Sequence, residues 1–231
     1  MIEDKSKQGT AAWRAAHLGI PTASDFWQIM PTPKRGSIPA SREDYKFKKV
    51  VERLIGKPWD VADGQQPILS QIFAIKRGKA LEEEACRQFD IELKKRQVRG
   101  RLRRCGMFLN DERTIGASPD RMLVYNGHEV PCEVKSPLAH THMEYLLSDI
   151  SSPDNKYYAQ IQGQILLTNA KKAFFYSYHP RCPGKFIIFE RDQAYIDRLQ
   201  LQLQLFCREL DEATERARGF GEFLPYREGE E

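Results

Sequence analysis

Apolar residues recur with a helical period in several parts of the chain. Between about residues 67 and 92 they return every three to four positions, with charged residues between them, which predicts a long amphipathic helix. A short helix is expected at 25–29, with Thr22 or Ser24 as its N-cap. The helical period predicts further helices over about 41–55, 157–167 and 192–218.

The middle of the chain has short apolar runs of strand length instead. Asn126-Gly127 separates two of these runs and predicts a tight hairpin, because both residues tolerate the positive φ of a type I′ turn. The order of elements indicates an α/β or α+β fold, with a mixed central sheet flanked by helices. The predicted strands are 107–109, 122–125, 130–134, 173–178 and 186–189.

The composition is that of an ordinary globular protein. Of 231 residues, 41% are hydrophobic and 29% charged, so we expect a single domain with a sizeable core. It would comprise a mainly helical part (1–65), a core that ends in the last helix (66–218) and a tail (219–231). No apolar run is long enough to span a bilayer, and the N-terminus is too polar for a signal peptide. We therefore expect a cytoplasmic protein with no membrane partner.

Positive charge is concentrated in one short segment, although the net charge is only +4. Such a segment can follow nucleic-acid phosphates, but it is equally typical of a solvated strand or turn, so its charge alone assigns no function. We call this segment the basic strip; its members are Lys94, Lys95, Arg96, Arg99, Arg101, Arg103 and Arg104.

Candidate chemistry lies at the predicted hairpin. Asp120 precedes its first strand, and Glu133 and Lys135, two apart on its second strand, point to the same face. The hairpin brings Asp120 back beside Glu133, so two carboxylates and an ammonium share one corner of the sheet. Together with the Val134 carbonyl they offer the hard oxygen ligands that suit Mg²⁺.

The spacing of Glu133 and Lys135 is weak evidence by itself. An acidic residue two positions before a lysine also occurs at residues 3, 44, 92 and 154. Only the pair in the hairpin ends an apolar strand whose partner strand opens with Pro-Asp. On the residues alone, a hairpin with an ordinary surface salt bridge remains an alternative to a metal site.

Four ordered sequence blocks resemble the PD-(D/E)XK nuclease core and, within it, the lambda exonuclease (YqaJ viral recombinase) family. They span residues 13 to 162, and the length of the chain also suits that family. The blocks are Trp13 with Leu18-Gly19-Ile20-Pro21-Thr22-Ala23-Ser24, Arg77-Gly78-Lys79-Ala80-Leu81-Glu82, Ser118-Pro119-Asp120 with Glu133-Val134-Lys135-Ser136-Pro137, and Tyr158-Ala159-Gln160-Ile161-Gln162.

The resemblance implies a catalytic role for each residue of the hairpin trio. Asp120 and Glu133, with the Val134 carbonyl, would hold two Mg²⁺ ions, for which Mn²⁺ is a possible substitute. Lys135 would activate the attacking water. Glu82 and Gln160 match the glutamate and the glutamine that the family has on its two site helices. Both would organise metal-bound water and Lys135. Glu82 would also be a metal ligand through a water molecule. Without the resemblance, each would be taken as an ordinary helix surface residue.

The resemblance also implies a site for the terminal 5′-phosphate of DNA. Ser24 and Ser118 match positions that contact this phosphate. Where the family usually has arginine, this chain has His17, which lacks a permanent charge, and Arg14 one turn earlier is a possible substitute. Ile75 lies in the region where the family places an apolar wedge that separates the strands.

The implied function is a Mg²⁺-dependent, ATP-independent 5′–3′ exonuclease that processively degrades one strand of linear duplex DNA. It would release 5′-mononucleotides and leave a 3′ single strand. The implied partners are duplex DNA ends, two further copies in a ring-shaped homotrimer, and a single-strand annealing protein of phage-type recombination. The alternatives are a DNA endonuclease of the same fold and an inactive protein that binds DNA ends.

Overall fold

The computed structural model describes residues 1–6, 10–31, 36–59 and 69–224, without the side chains of residues 11, 14, 69–72, 74 and 75. Its α-helices are α1 (Ala11–His17), α2 (Ser41–Ile55), α3 (Leu69–Lys95), α4 (Ala139–Leu147), α5 (Lys156–Thr168) and α6 (Gln193–Arg218). A 3-10 helix covers Ala23–Gln28. The strands are β1 (Ile2–Asp4), β2 (Arg101–Arg103), β3 (Met107–Leu109), β4 (Gly116–Ala117), β5 (Arg121–Tyr125), β6 (His128–Lys135), β7 (Lys172–Ser177) and β8 (Lys185–Glu190). None of the described helices has both the length and the apolar character needed to cross a membrane.

Five strands form a central sheet in the order β2-β5-β6-β7-β8. Strands β6 and β7 are parallel and the other neighbours are antiparallel, so the sheet is mixed. Strands β1, β3 and β4 form a second, smaller antiparallel sheet. The five strands predicted from apolar runs are present as β3 and β5 to β8, and the predicted mixed sheet flanked by helices is confirmed.

The central sheet is packed between helices on both faces. Alternate residues of β7 point to opposite faces: Phe174 belongs to the core cluster formed with Phe89 of α3, and Phe175 to the cluster formed with Ile161 of α5. A helix thus covers each face. Strand β6 lies at the centre of the sheet, and near its C-terminal end Val134 packs towards α3 and Glu133 bonds to α5.

The β5–β6 hairpin has the turn predicted from the sequence. Asn126 and Gly127 adopt φ values of 48° and 75°, as a type I′ turn requires. The turn sets the antiparallel register, whose last pair away from the turn is Arg121 opposite Cys132. One more step along this register brings Asp120 opposite Glu133.

Some elements were not predicted. Strands β1, β2 and β4 are only two or three residues long, too short for a periodic pattern, and β2 lies within the basic strip. Helix α4 was also missed. The predicted start of the long helix near residue 67 lies outside the described residues, and that helix ends at Lys95, three residues later than expected. The expected short helix after Thr22 is a 3-10 helix in which Thr22 makes no side-chain capping bond.

Candidate active site

Asp120 and Glu133 lie side by side at the end of the hairpin, as the sequence predicts. The Val134 amide donates a hydrogen bond of 2.7 Å to Oδ2 of Asp120, which holds the Asp120 carboxylate against β6. Glu133 is 2% exposed, on the face of β6 that α5 covers. The arrangement therefore follows from the turn geometry and from the two-residue period of β6.

Both carboxylate oxygens of Glu133 have hydrogen-bond donors. Oε1 accepts from Nε2 of Gln160 at 2.7 Å and forms an ion pair with the Lys135 ammonium. Oε2 accepts from Nε2 of Gln164 at 2.6 Å. Gln160 and Gln164 lie one helical turn apart on α5, so their side chains project from the same face. The structure thus places the predicted Gln160 beside Glu133 and adds a second glutamine.

The two carboxylates repel each other when both are ionised, and a cation between them would relieve this repulsion. Burial and the nearby Glu133 charge raise the pKa of Asp120 to about 7, although the Lys135 charge opposes this shift. A divalent cation between such carboxylates removes their repulsion. The described residues contain no group of three or more His, Cys, Asp or Glu side chains able to hold a metal ion. Two carboxylates with backbone and water oxygens nevertheless suit Mg²⁺, which retains several waters when bound.

Lys135 is protonated in this arrangement and acts as a hydrogen-bond donor. Burial acts to lower the pKa of Lys135, but the Glu133 and Asp120 carboxylates outweigh burial and hold that pKa above its ordinary value. Lys135 is therefore an ammonium that can donate hydrogen bonds to a water or a phosphate oxygen. In this state it cannot accept a proton.

The Glu82 carboxylate contacts an arginine beside the carboxylate pair. Its Oε1 accepts from Nη1 of Arg121 at 3.2 Å, and the same nitrogen donates to the Asp120 backbone carbonyl at 2.6 Å. The Glu82 charge is close enough to contribute to the raised pKa of Asp120. Glu82 thus borders the site and is linked to it through Arg121.

Two residues predicted to contact the 5′-phosphate lie next to each other. Nδ1 of His17 lies 2.7 Å from the Trp13 carbonyl, which requires an N–H there, so Nε2 accepts from the Ser118 hydroxyl at 3.1 Å. Burial lowers the pKa of His17, so its ring is neutral near pH 7. Ser24, in the 3-10 helix, is exposed.

The other two predicted DNA contacts, Arg14 and Ile75, have backbones in α1 and α3. Their side chains lie outside the described residues.

Sequence reasoning missed Gln164 and Arg121. The signal for Gln164 was its spacing of four residues from Gln160, which puts both amides on one helix face. The signal for Arg121 was no more than its position directly after Asp120. Its partners Glu82 and Glu83 come from α3. Contacts of that kind depend on how helix and sheet pack.

Comparisons with known proteins agree with this architecture. The sequence model of the YqaJ-like viral recombinase domain matches residues 12–171. The structure of the alkaline exonuclease LHK-Exo from Laribacter hongkongensis is 27% identical, with a TM-score of 0.73, over 91% of this chain and 97% of that one. The same values hold for LHK-Exo in complex with dAMP. A phage-related exonuclease from Haemophilus somnus 129PT, 13% identical over 86% of this chain and 96% of that one, has a TM-score of 0.64 and shows the fold alone. No curated protein sequence matches the chain.

Proposed function

The chain belongs to the YqaJ-like viral recombinase family, and from this premise we propose that it is a Mg²⁺-dependent, ATP-independent 5′–3′ exonuclease. The predicted family and the deoxyribonuclease class are confirmed. We propose that it degrades one strand of linear duplex DNA to 5′-mononucleotides and leaves a 3′ single strand. The observation that carries the proposal is the pair of carboxylates, Asp120 and Glu133, held together beside the Lys135 ammonium.

Asp120, Glu133 and the Val134 carbonyl are the proposed ligands of two Mg²⁺ ions, with Mn²⁺ as an expected substitute. The N–H and C=O of one strand residue point to the same side of the strand, so the Val134 carbonyl faces the edge where its N–H meets Asp120. Bound there, Mg²⁺ would lower the pKa of a ligated water and offset charge on the scissile phosphate.

The remaining site residues orient the attacking water, the phosphate and the two carboxylate residues. Lys135, as an ammonium, orients the attacking water or a phosphate oxygen by donating to it. Gln160 keeps Oε1 of Glu133 directed towards Lys135. Glu82 holds Arg121, and Arg121 in turn holds the Asp120 backbone, so Glu82 supports the site from α3.

We assign the recognition of the 5′-terminal phosphate to Ser24, Ser118, His17 and Arg14. The hydrogen bond between His17 and Ser118 supports this assignment for those two residues. Because His17 is neutral near pH 7, it contributes less to phosphate binding than a permanent charge would. Ile75 is the proposed wedge between the strands.

The proposal extends to the assembly and its surroundings. Residues 1–231 would form one exonuclease domain, and three copies would form a ring through which the DNA passes, which would make degradation processive. The 3′ single strand would pass to a single-strand annealing protein in the cytoplasm of a bacterial host. The family membership supports these points.

End-labelled DNA tests the proposal. Linear duplexes with 5′-phosphate or 5′-hydroxyl ends, and closed circles, would be incubated with Mg²⁺ or with EDTA. We expect label to be lost first from the 5′ end of linear DNA, only with Mg²⁺, and a long single strand to remain. Cutting of closed circles would indicate an endonuclease, and binding without hydrolysis an inactive end-binding protein.

A further inference from the structure

Helix α5 carries three buried glutamines at alternate positions. Gln160, Gln162 and Gln164 are 5%, 0% and 1% exposed. Because a helix turns about 100° per residue, Gln160 and Gln164 share one face and Gln162 points away from it. Gln162 bonds instead to the Glu190 carbonyl at 2.8 Å and to the Asp192 amide at 3.1 Å. Three like residues on one helix therefore serve two separate regions.

The amide of Gln164 is oriented by Glu133 alone. Its Nε2 donates to Oε2 of Glu133 at 2.6 Å, whereas its Oε1 is buried with no hydrogen-bond partner among the described residues. The opposite orientation would set the Gln164 oxygen against a carboxylate oxygen, and two acceptors repel. A hydrogen bond to a charged acceptor is strong, and here it outweighs the unpaired oxygen at the other end of the amide.

Because of this contact, the two carboxylate oxygens of Glu133 have different partners. Oε2 accepts from Gln164, whereas Oε1 accepts from Gln160 and also pairs with the Lys135 ammonium. Rotation of the carboxylate would break both glutamine contacts together. Oε1 is the oxygen beside Lys135, whose side chain is 33% exposed, so Oε1 lies towards the accessible side of the site.

We propose that Gln164 is a positioning residue for the metal ligand Glu133: it holds Oε2 so that Oε1 is the oxygen presented to the cation. This inference rests on the proposed metal-dependent function. It gives Gln164 a role in metal affinity, whereas Gln162, equally buried on the same helix, bonds to the backbone between β8 and α6 and has a structural role.

Calorimetric titration of the full chain with Mn²⁺, without DNA, tests the inference. Gln164→Met keeps the side-chain length and removes the amide, and Gln162→Met is its matched control. We expect Gln164→Met to weaken Mn²⁺ binding by about 10- to 100-fold, the range typical of residues that orient metal ligands. Gln162→Met should leave the Kd within about twofold of the unchanged protein and lower only the thermal stability.

Kinetics supply a second readout. In Gln164→Met the Mn²⁺ concentration for half-maximal activity should rise, while KM for DNA at saturating metal stays unchanged. If Gln164→Met fails to fold, Gln164→Asn, whose amide is drawn back by one methylene, should show the same weakening.

Two results would overturn the inference: unchanged Mn²⁺ affinity in the Gln164 variants, or equal weakening in Gln162→Met. If the unchanged protein binds no Mn²⁺, the proposed function itself is wrong.

Discussion

The candidate active site and the basic strip are both clusters of charge, but the two are balanced in opposite ways. In the strip, Arg103 bonds to Glu3 and Glu129 together, and its hydrogen bond to Glu3 holds the pKa of that carboxyl below its ordinary value. Three more members have acidic partners: Lys94 with Asp90, Arg96 with Glu92 and Arg104 with Glu83. Most charges of the strip are therefore neutralised within the protein.

In the candidate active site the negative charges outnumber the positive ones. Asp120 and Glu133 share the single Lys135 ammonium, and the pKa of Asp120 rises to about 7. The strip is the most conspicuous charge cluster in the sequence, yet the chain itself supplies its counter-charges. At the centre of the site two carboxylates face one ammonium, so a bound cation would complete the charge balance. Uncompensated charge is therefore a better guide to function here than charge density.

The largest expected effect is the loss of catalysis on neutralising the site. Asp120→Asn should lower the rate of DNA hydrolysis at least about 1000-fold, about 4 kcal/mol in transition-state free energy, because a proposed metal ligand is lost. DNA binding should be retained. Glu129→Gln, which removes an acidic partner of the strip, is the control and should leave the rate unchanged. An equal loss of binding and hydrolysis in Asp120→Asn would contradict the metal-site assignment.

The second prediction concerns the pH dependence of stability in EDTA. A raised pKa means that Asp120 favours folding below its unfolded pKa near 3.8, and that this contribution is lost as the pH rises through about 7. The loss is about 4 kcal/mol, at about 1.4 kcal/mol per pKa unit for the rise from 3.8 to about 7. In urea titrations from pH 4 to 8, Asp120→Asn should therefore become progressively more stable than the unchanged protein.

Glu3 is the matched control, because its pKa is shifted the other way. Its contribution to stability is present above its unfolded pKa of 4.5 and is lost as the pH falls through the lower folded value. Glu3→Gln should thus be the less stable protein at pH 8. If Asp120→Asn instead becomes less stable than the unchanged protein as the pH rises, the two carboxylates do not repel each other as the structure indicates.

The third prediction concerns the arginine that balances the strip. Arg103→Met leaves Glu3 and Glu129 without their shared partner, and it should lower the free energy of unfolding by about 1–3 kcal/mol. Nuclease activity should not change. Arg101→Met, at an exposed position of the same strand, should stay within about 0.5 kcal/mol of the unchanged protein. Equal stabilities of the two variants in urea would refute the assigned network.

The smallest expected effect concerns His17, whose ring is neutral near pH 7 because burial lowers its pKa. His17→Arg restores a permanent charge beside Ser118, so the rate ratio between 5′-phosphate and 5′-hydroxyl substrates should rise about 3- to 10-fold at pH 8. The rate on 5′-hydroxyl ends should stay constant. Parallel changes on both substrates would show that His17 does not contact the phosphate.

The sequence by itself determined the elements and the trio that depend on local geometry. The strands β5 and β6, the Asn126-Gly127 turn and the two-residue spacing of Glu133 and Lys135 are set by neighbouring residues. A tight turn leaves only one register, so the predicted meeting of Asp120 and Glu133 needed no knowledge of the rest of the chain.

Only the tertiary structure decided which distant groups complete and balance these elements. Gln164 reaches Glu133 across 31 residues, Glu82 meets Arg121 across 39, and Arg103 meets Glu3 across 100. Hydrophobic packing of helices on the sheet sets these contacts, and a periodic pattern shows which face of a helix is apolar without showing what it packs against. Local geometry therefore predicted that Asp120, Glu133 and Lys135 meet, whereas packing determined the electrostatic environment in which they lie.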